Sequence, residues 1–533
     1  MVSSISCRSQ EIPLRHGASG TPRKPVLFSF SGGSTERANK PLRLIALHFL
    51  AVASLWYVSY FTPEPFALVV YLIAILMFLL SQRNAFWFAL VFVLWQSPAF
   101  LFENKLPLLS LGAHLSFDPR DVFAVAFLLK AMTQWKSASL FARPMLALLS
   151  CVGASLIIST AEPGFTIGPA LTALRPFFYY TLLLAFPLLI RTQQELLVIP
   201  TVLFPWVGVI LMAQFHFMLT GTEVVNRFLP GTREEDIFFE VGRIPRPLPG
   251  GGNLVIACLI LGLALVLSGV GGIKRAWLAS VVAACCVSFV ISGTRQVVIF
   301  AVFVLVASLM LVKRRTGILA GISILGLIGL IGSPGGAVGD DPSVPASVSR
   351  LLELRGLQGG GIEAIATGAG RLEQARSLLA VVGERPLLGW GFCQKGLSAL
   401  NTNLGVANTL LLFGLVGTGV FVWFCARVLI VTLRASLERN LASSRMARIA
   451  SVLGAGWLGL LMLFATVQDF FSGPPANIIL VVLVAGFCDH YVRAVKSERA
   501  HGVGQGTGGR MRGAVARPAG GPTLQPSGRL SRW

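Results

Sequence analysis

Apolar runs of about 17 to 25 residues recur along the chain, most of them closed by a short polar or basic turn. A helix of that length crosses a hydrocarbon core of about 30 Å. The pattern predicts spans over 42–61, 65–81, 85–102, 121–135, 144–160, 171–190, 196–219, 253–270, 276–292, 296–312, 316–332, 407–433, 447–467 and 475–492, fourteen in all. The least regular are 121–135, which is short and carries Lys130, and the pair at 276–312, joined by only Gly293, Thr294 and Arg295. Residues 1–41 and 493–533 are polar, basic and rich in Gly and Ser, and they read as disordered tails. The longest polar stretch between spans is 333–406. The expected fold is an all-α polytopic membrane protein with about 14 transmembrane helices and one large loop carrying short amphipathic helices.

Composition agrees with this reading: 54% of residues are hydrophobic, 13% are charged and the mean hydropathy is +0.74. The net charge of +21 would suggest a nucleic-acid partner in a soluble protein, but here the cations sit in the tails and in alternate turns. Those positions are topology determinants and contacts to lipid headgroups. Arg83, Lys130, Arg143, Arg191, Lys274, Lys313, Arg434 and Arg448 fall on one side together with both tails, which makes that side cytoplasmic. The first apolar run begins too far into the chain for a cleavable signal peptide, so it reads as a retained anchor. The opposite, extracytoplasmic face receives 103–120, 161–170, 220–252, 333–406 and 468–474. Six of the eight cysteines fall in spans, and Cys393 stands alone in the large loop, which excludes a disulfide framework there. The aromatic segment Phe86 to Trp95 reads as lipid-facing or interfacial.

An ordered set of motifs follows in the second half. A span opens on Gly252-Asn253, another ends in Ser292-Gly293-Thr294-Arg295, and the large loop carries Gly370-Arg371. The loop continues into Glu384-Arg385-Pro386-Leu387-Leu388-Gly389-Trp390-Gly391, and Ala407-Asn408-Thr409-Leu410-Leu411 leads into Gly414-Leu415-Val416-Gly417. Over about residues 250–425 this resembles the O-antigen ligase and O-antigen polymerase superfamily of bacterial polysaccharide assembly. Ligases of that family carry a His immediately before the Asn of the last motif, and here the position is Ala407.

The resemblance implies a bacterial inner-membrane glycosyltransferase that moves a glycan from a polyprenyl diphosphate carrier to an acceptor hydroxyl, without metal or other cofactor. Implied partners are the lipid-linked oligosaccharide, a glycan or lipid acceptor, membrane lipids and other assembly proteins, with no nucleic acid. Such chemistry asks for cations on the diphosphate and an acceptor for the hydroxyl proton. Arginine suits the first task through its planar fork and permanent charge. Arg295 sits at an outer helix end, against the positive-inside bias. Arg175 lies in the outer part of its span, followed by Pro176. At 3.6-residue periodicity, Arg371 falls on the face of Ala375, Leu378 and Val382, within an apolar stripe that also takes in Leu372 and Leu379, while Arg376 and Glu373 fall opposite. Arg243 and Arg246 stand in the 220–252 loop, stiffened by Pro245 and Pro247. For the proton acceptor the outer face offers Glu373, Asp469 and Glu240, none singled out by spacing. The leading expectation is an O-antigen, capsule or exopolysaccharide polymerase. A lipid A-core ligase, a transporter and a non-enzymatic assembly factor stand as alternatives.

Overall fold

The computed structural model describes residues 34–96, 109–111, 115–134, 139–220, 252–269, 275–292, 295–313, 316, 319, 366–400, 405–437, 444–466, 471 and 475–508. The chain divides into two compact units, Met1–Leu44 and Ile45–Trp533. The described part of the first unit is the beginning of one helix, α1 (Ser34–Phe61).

The second unit continues with α2 (Glu64–Leu80), α3 (Asn84–Trp95) and two three-residue strands, β1 (Leu109–Leu111) and β2 (Leu115–Phe117). The strands pair antiparallel with Ser110 opposite Ser116. Then come α4 (Pro119–Met132), α5 (Ala142–Thr160), α6 (Ile167–Phe178), a single 3₁₀ turn at Tyr179–Thr181, α7 (Leu182–Leu189) and α8 (Gln193–Thr220). Further on are α9 (Gly252–Ser268), α10 (Arg275–Ile291), α11 (Arg295–Val312), α12 (Ala366–Glu384), α13 (Gln394–Ser398), α14 (Gly405–Leu437), α15 (Arg445–Thr466) and α16 (Pro475–Gly508).

Among the described residues, seven stretches are long and apolar enough to cross a membrane: Pro41–Ser59, Ala142–Thr160, Ile167–Leu189, Gln193–His216, Gly405–Ala435, Arg445–Ala465 and Pro475–Glu498. The chain is therefore a multi-pass, essentially all-helical membrane protein. The other expected spans are shorter or lie partly outside the described residues. Five further apolar helices, among them Asn84–Trp95 and Gly252–Ser268, have 10–17 residues. The expected span 121–135 is the 14-residue helix α4, which carries Asp121 and Lys130. The expected span 316–332 and most of the 333–406 loop lie outside the described residues.

The buried centre is made by α3, α9, α15 and α16. Every residue of α3 from Asn84 to Trp95 is buried, which corrects the lipid-facing expectation. A helix apolar all round gains most by being enclosed among other helices. Its rings meet those of neighbours: Phe88 stands edge-on to Phe127 of α4 and Phe186 of α7, and Trp95 to Tyr179. Lys130 reaches from α4 to the end of α2, where its Nζ donates to the Phe78 carbonyl at 2.7 Å and to the Ser81 carbonyl.

Helix α15 packs through glycines. A Cβ at Gly456 would meet Ile260 of α9 at 2.7 Å, and one at Gly459 would meet Val304 and Phe300 of α11 at 2.6 and 2.7 Å. Small residues at such crossings let backbones approach closely, which is how helices gain contact where lipid removes the hydrophobic drive. Gly459→Val overpacks the α11–α15 contact and should cost about 2 kcal/mol. The expected outcome is a lower thermal unfolding midpoint of the detergent-purified protein, with Gly419→Ala, where nothing lies within 4 Å, unchanged.

Candidate functional site

The hairpin β1–β2 delivers the chain to Asp118, the N-cap of α4. The motif Asp118-Pro119-Arg120-Asp121 starts the helix in the usual way, with proline at the first helical position and a reciprocal capping box. The Asp118 carboxylate accepts from the Arg120 amide at 2.8 Å, and the Asp121 carboxylate accepts from the Asp118 amide at 3.0 Å.

Both carboxylates also hold guanidinium groups. Arg175 of α6 donates from Nε to Asp121 Oδ1 at 2.8 Å, and its Nη2 reaches Asp121 Oδ2 at 2.6 Å as well as Asp118. Arg120 donates from Nε and Nη2 to Asp118 Oδ2 at 3.0 and 2.6 Å. The Tyr179 hydroxyl donates to Asp121. The exposures are graded: the side chains of Asp118 and Asp121 are 2% and 6% exposed, those of Arg120 and Arg175 18% and 27%. Burial alone would raise the Asp118 pKa, but the hydrogen bond and charge of Arg120, with the charge of Arg175, reverse that and hold it below the ordinary carboxylate value. Pro176 lacks an amide donor for the turn that carries Arg175, and the α-helix gives way to the 3₁₀ turn two residues after it.

The second construction joins the loop motif to α14. This helix is broken at Gly414, where φ is 60° and ψ is −165°. Residues 386–391 fill the break with backbone hydrogen bonds in both directions. The Trp390 and Gly391 amides donate to the Leu411 and Leu412 carbonyls at 2.8 and 3.0 Å, and the Leu415 and Val416 amides donate to the Pro386 and Leu387 carbonyls at 2.8 and 3.1 Å. The close approach explains the glycines: a Cβ on Gly389, at φ 71°, would stand 2.6 Å from the Gly414 amide nitrogen. Helix α5 supports the same point, with Ser155 Oγ donating to the Leu412 carbonyl at 2.8 Å and Ser159 Oγ accepting from the Phe392 amide at 2.6 Å.

Side chains tie the two constructions together. Phe392 of the loop and Phe413 of α14 both stand edge-on to Phe177, two residues after Arg175, at centroid distances of 6.1 and 5.3 Å. Arg385 pairs with Glu162, just beyond α5, and lies 4.4 Å over the Trp390 ring. Lys395 pairs with Glu384 and lies 4.2 Å over the same ring. The grading of exposure repeats, with Arg385 37% and Glu162 14% exposed. Other helix ends meet here as well: Gln96 after α3 donates to the Ala476 carbonyl, and Asn253 at the start of α9 donates to Asn477 at 2.7 Å.

Of the residues expected from sequence, Arg175 has its side chain described, and its guanidinium is engaged by two carboxylates. Arg371 and Glu373 are in α12 and Arg295 begins α11, while the side chains of these three, and Arg243, Arg246 and Asp469 entirely, lie outside the described residues. The apolar stripe of α12 is narrower than periodicity alone gives. Leu378 and Val382 are buried against Trp390, Cys393 and Leu411, whereas Leu379 is half exposed among the described residues. Ala407 packs against the same cluster. Arg120, Asp118, Asp121, Glu162, Arg385 and Lys395 are the functional candidates that sequence reasoning missed. The run 118–121 carried a visible capping-box signal, whereas no local signal marks Glu162.

Compared with known proteins, the chain matches no family model and no curated sequence. Among solved structures it is similar to a chain from a peptidoglycan synthase complex described as coordinating polymerization and crosslinking, with 17% identity and a TM-score of 0.35 over 65% of this chain and 97% of that one. The likeness to the O-antigen superfamily is carried by the sequence motifs alone.

Two outcomes follow. Asp118→Asn leaves two guanidinium groups without their shared counter-charge and should cost about 3 kcal/mol. Because the folded pKa of Asp118 is lowered, its contribution is complete above the unfolded carboxylate value of about 3.9 and is lost as pH falls through the folded value. The unfolding midpoint of the wild type should therefore drop on acidification below about pH 4, and that of Asp118→Asn should drop less. Gly389→Ala should detach the loop from α14, read as faster hydrogen exchange at the Trp390 and Gly391 amides with the α15 amides unchanged.

Proposed function

We propose that the protein is a bacterial inner-membrane glycan polymerase, transferring a glycan from a polyprenyl diphosphate carrier to an acceptor hydroxyl in O-antigen, capsule or exopolysaccharide synthesis. The observation that carries this reading is the layering of charge at one end of the bundle. Carboxylates are buried and cations stand over them, at the end that also bears the docked loop motif. Two guanidinium groups set by buried carboxylates are pre-oriented donors, and a diphosphate is the ligand that such forks fit. Ionised groups inside a membrane protein are costly, and where they are kept they commonly mark a substrate or ion pathway.

In this proposal the chain crosses the membrane fourteen times, both termini are cytoplasmic and the Asp118 end faces outward, with 333–406 as the large outer loop. Arg175 and Arg120 hold the diphosphate together with Arg295 and Arg371, and Arg243 and Arg246 approach from the 220–252 loop. The acceptor oxygen attacks the anomeric carbon, and the bond from that carbon to the diphosphate oxygen breaks. The diphosphate keeps the electron pair, neutralised by the arginines, and the hydroxyl proton passes to a carboxylate for which Glu373 and Asp469 are the candidates. Ala407, set among apolar side chains, supplies no proton acceptor at the position where ligases of the family have one. This favours polymerase over ligase.

Arg175→Lys, which keeps a cation beside the buried Asp118 and Asp121 but loses the fork, and Arg371→Ala should each lower chain extension about a hundredfold, with the protein present at normal level in membranes. Polymer length on gels and the build-up of lipid-linked repeat units read the effect. If deleting the gene changes neither polymer length nor attachment, the assignment is wrong.

A further inference from the structure

The end of the bundle opposite Arg175 holds a cavity of about 500 Å³ between the end of α7, the start of α8 and the later turns of α16. Its lining combines apolar side chains, Leu188, Ile190 and Ala494, with polar ones, Arg191, His490 and Arg493.

The nearby carboxylates are committed to holding the frame. Asp489 is fully buried, accepting from the Leu140 amide at 3.1 Å and from Arg493 Nε at 3.0 Å, so it orients the Arg493 fork. Glu195 accepts from the amides of Arg191 and Thr192 at 2.9 and 3.3 Å. The Arg191 guanidinium is fixed by uncharged oxygens, the Leu188 carbonyl at 2.8 Å and the Gln134 carbonyl at 3.1 Å. A guanidinium held by carbonyls is positioned without losing its charge.

Depth and surroundings narrow the ligand. The span containing α7 closes at Leu189 and the span of α16 at Glu498, so the cavity's residues fall at the last turns of both spans, which in a bilayer is the headgroup end. The helix ends on this side are strongly basic, with Lys130, Arg143, Lys313, Arg434 and Arg445 among them. Basic pockets between helices at this level suit acidic headgroups, and the apolar side chains suit the first methylenes of the chains. We propose that this cavity binds an anionic phospholipid through its phosphodiester, with Arg191 and Arg493 on the phosphate and Leu188 and Ile190 against the acyl chains. The proposal does not depend on the transferase reading.

The full-length protein in nanodiscs or detergent, with phosphatidylglycerol or phosphatidylcholine as probe, tests it by native mass spectrometry and thermal unfolding. Phosphatidylglycerol should stay bound and raise the unfolding midpoint where phosphatidylcholine does neither. Arg191→Gln, which removes a guanidinium held among the described residues by carbonyl and amide oxygens, should weaken retention about tenfold, the loss of one charge-assisted phosphate contact. Arg493→Lys is the second variant, because Arg493→Gln strands the buried Asp489 and risks misfolding. Equal retention of the two lipids, or retention untouched by Arg191→Gln in a folded protein, overturns the proposal. Displacement of the lipid by millimolar inorganic phosphate also overturns it, by making the cavity a site for free phosphate.

Discussion

A helix in hydrocarbon satisfies its own amides and carbonyls, and any interruption leaves polar atoms that lipid cannot serve. In α14 the interruption at Gly414 is closed by main chain from elsewhere, with two amides and two carbonyls of residues 386–391 taking the places of the missing helical partners. The arrangement of this end of the molecule depends on that exchange. It fixes Trp390, over which Arg385 and Lys395 lie, and it carries Phe392 to Phe177 and so reaches the helix that bears Arg175. The loop cannot leave without exposing the break, so the motif and the helix behave as one piece.

Charge is organised by the same economy. Asp118 and Asp121 are used twice, as caps for the first turn of α4 and as counter-ions for two arginines. Helix N-termini already favour negative charge, which lowers the cost of burying these carboxylates. With the anions committed beneath, Arg120 and Arg175 retain exposure above them. The same layering recurs at Glu162 and Arg385, and at the opposite end Asp489 sits under Arg493.

The helical membrane class was legible because apolar length is the strongest signal a sequence carries, and the loop motif was visible as Gly, Pro and Trp in fixed order. The purpose of its glycines was not, because Gly389 and Gly414 answer to a contact between segments 25 residues apart. Arg175 stands out as a cation in an apolar run, but its partners Asp118 and Asp121 come from a different helix, and no local pattern links them to it. The apolar ring-bearing segment 86–95 reads from sequence as lipid-facing or interfacial because hydropathy does not separate a buried core helix from one facing acyl chains. The helix that opens the expected span 85–102 ends at Trp95, with Gln96 outside helical geometry, although apolar sequence continues beyond it.

Lys130 bears on how the molecule is assembled. Its ammonium is satisfied by the carbonyls of Phe78 and Ser81 at the end of α2 and by the face of the Phe78 ring. A helix carrying such a cation is a poor tenant of lipid by itself, and becomes a good one only once the earlier helix stands beside it. Synthesis delivers α2 first, so the order of the chain is also the order in which the α2–α4 contact can be made, and α4 enters the bundle as a dependent of a helix already in place.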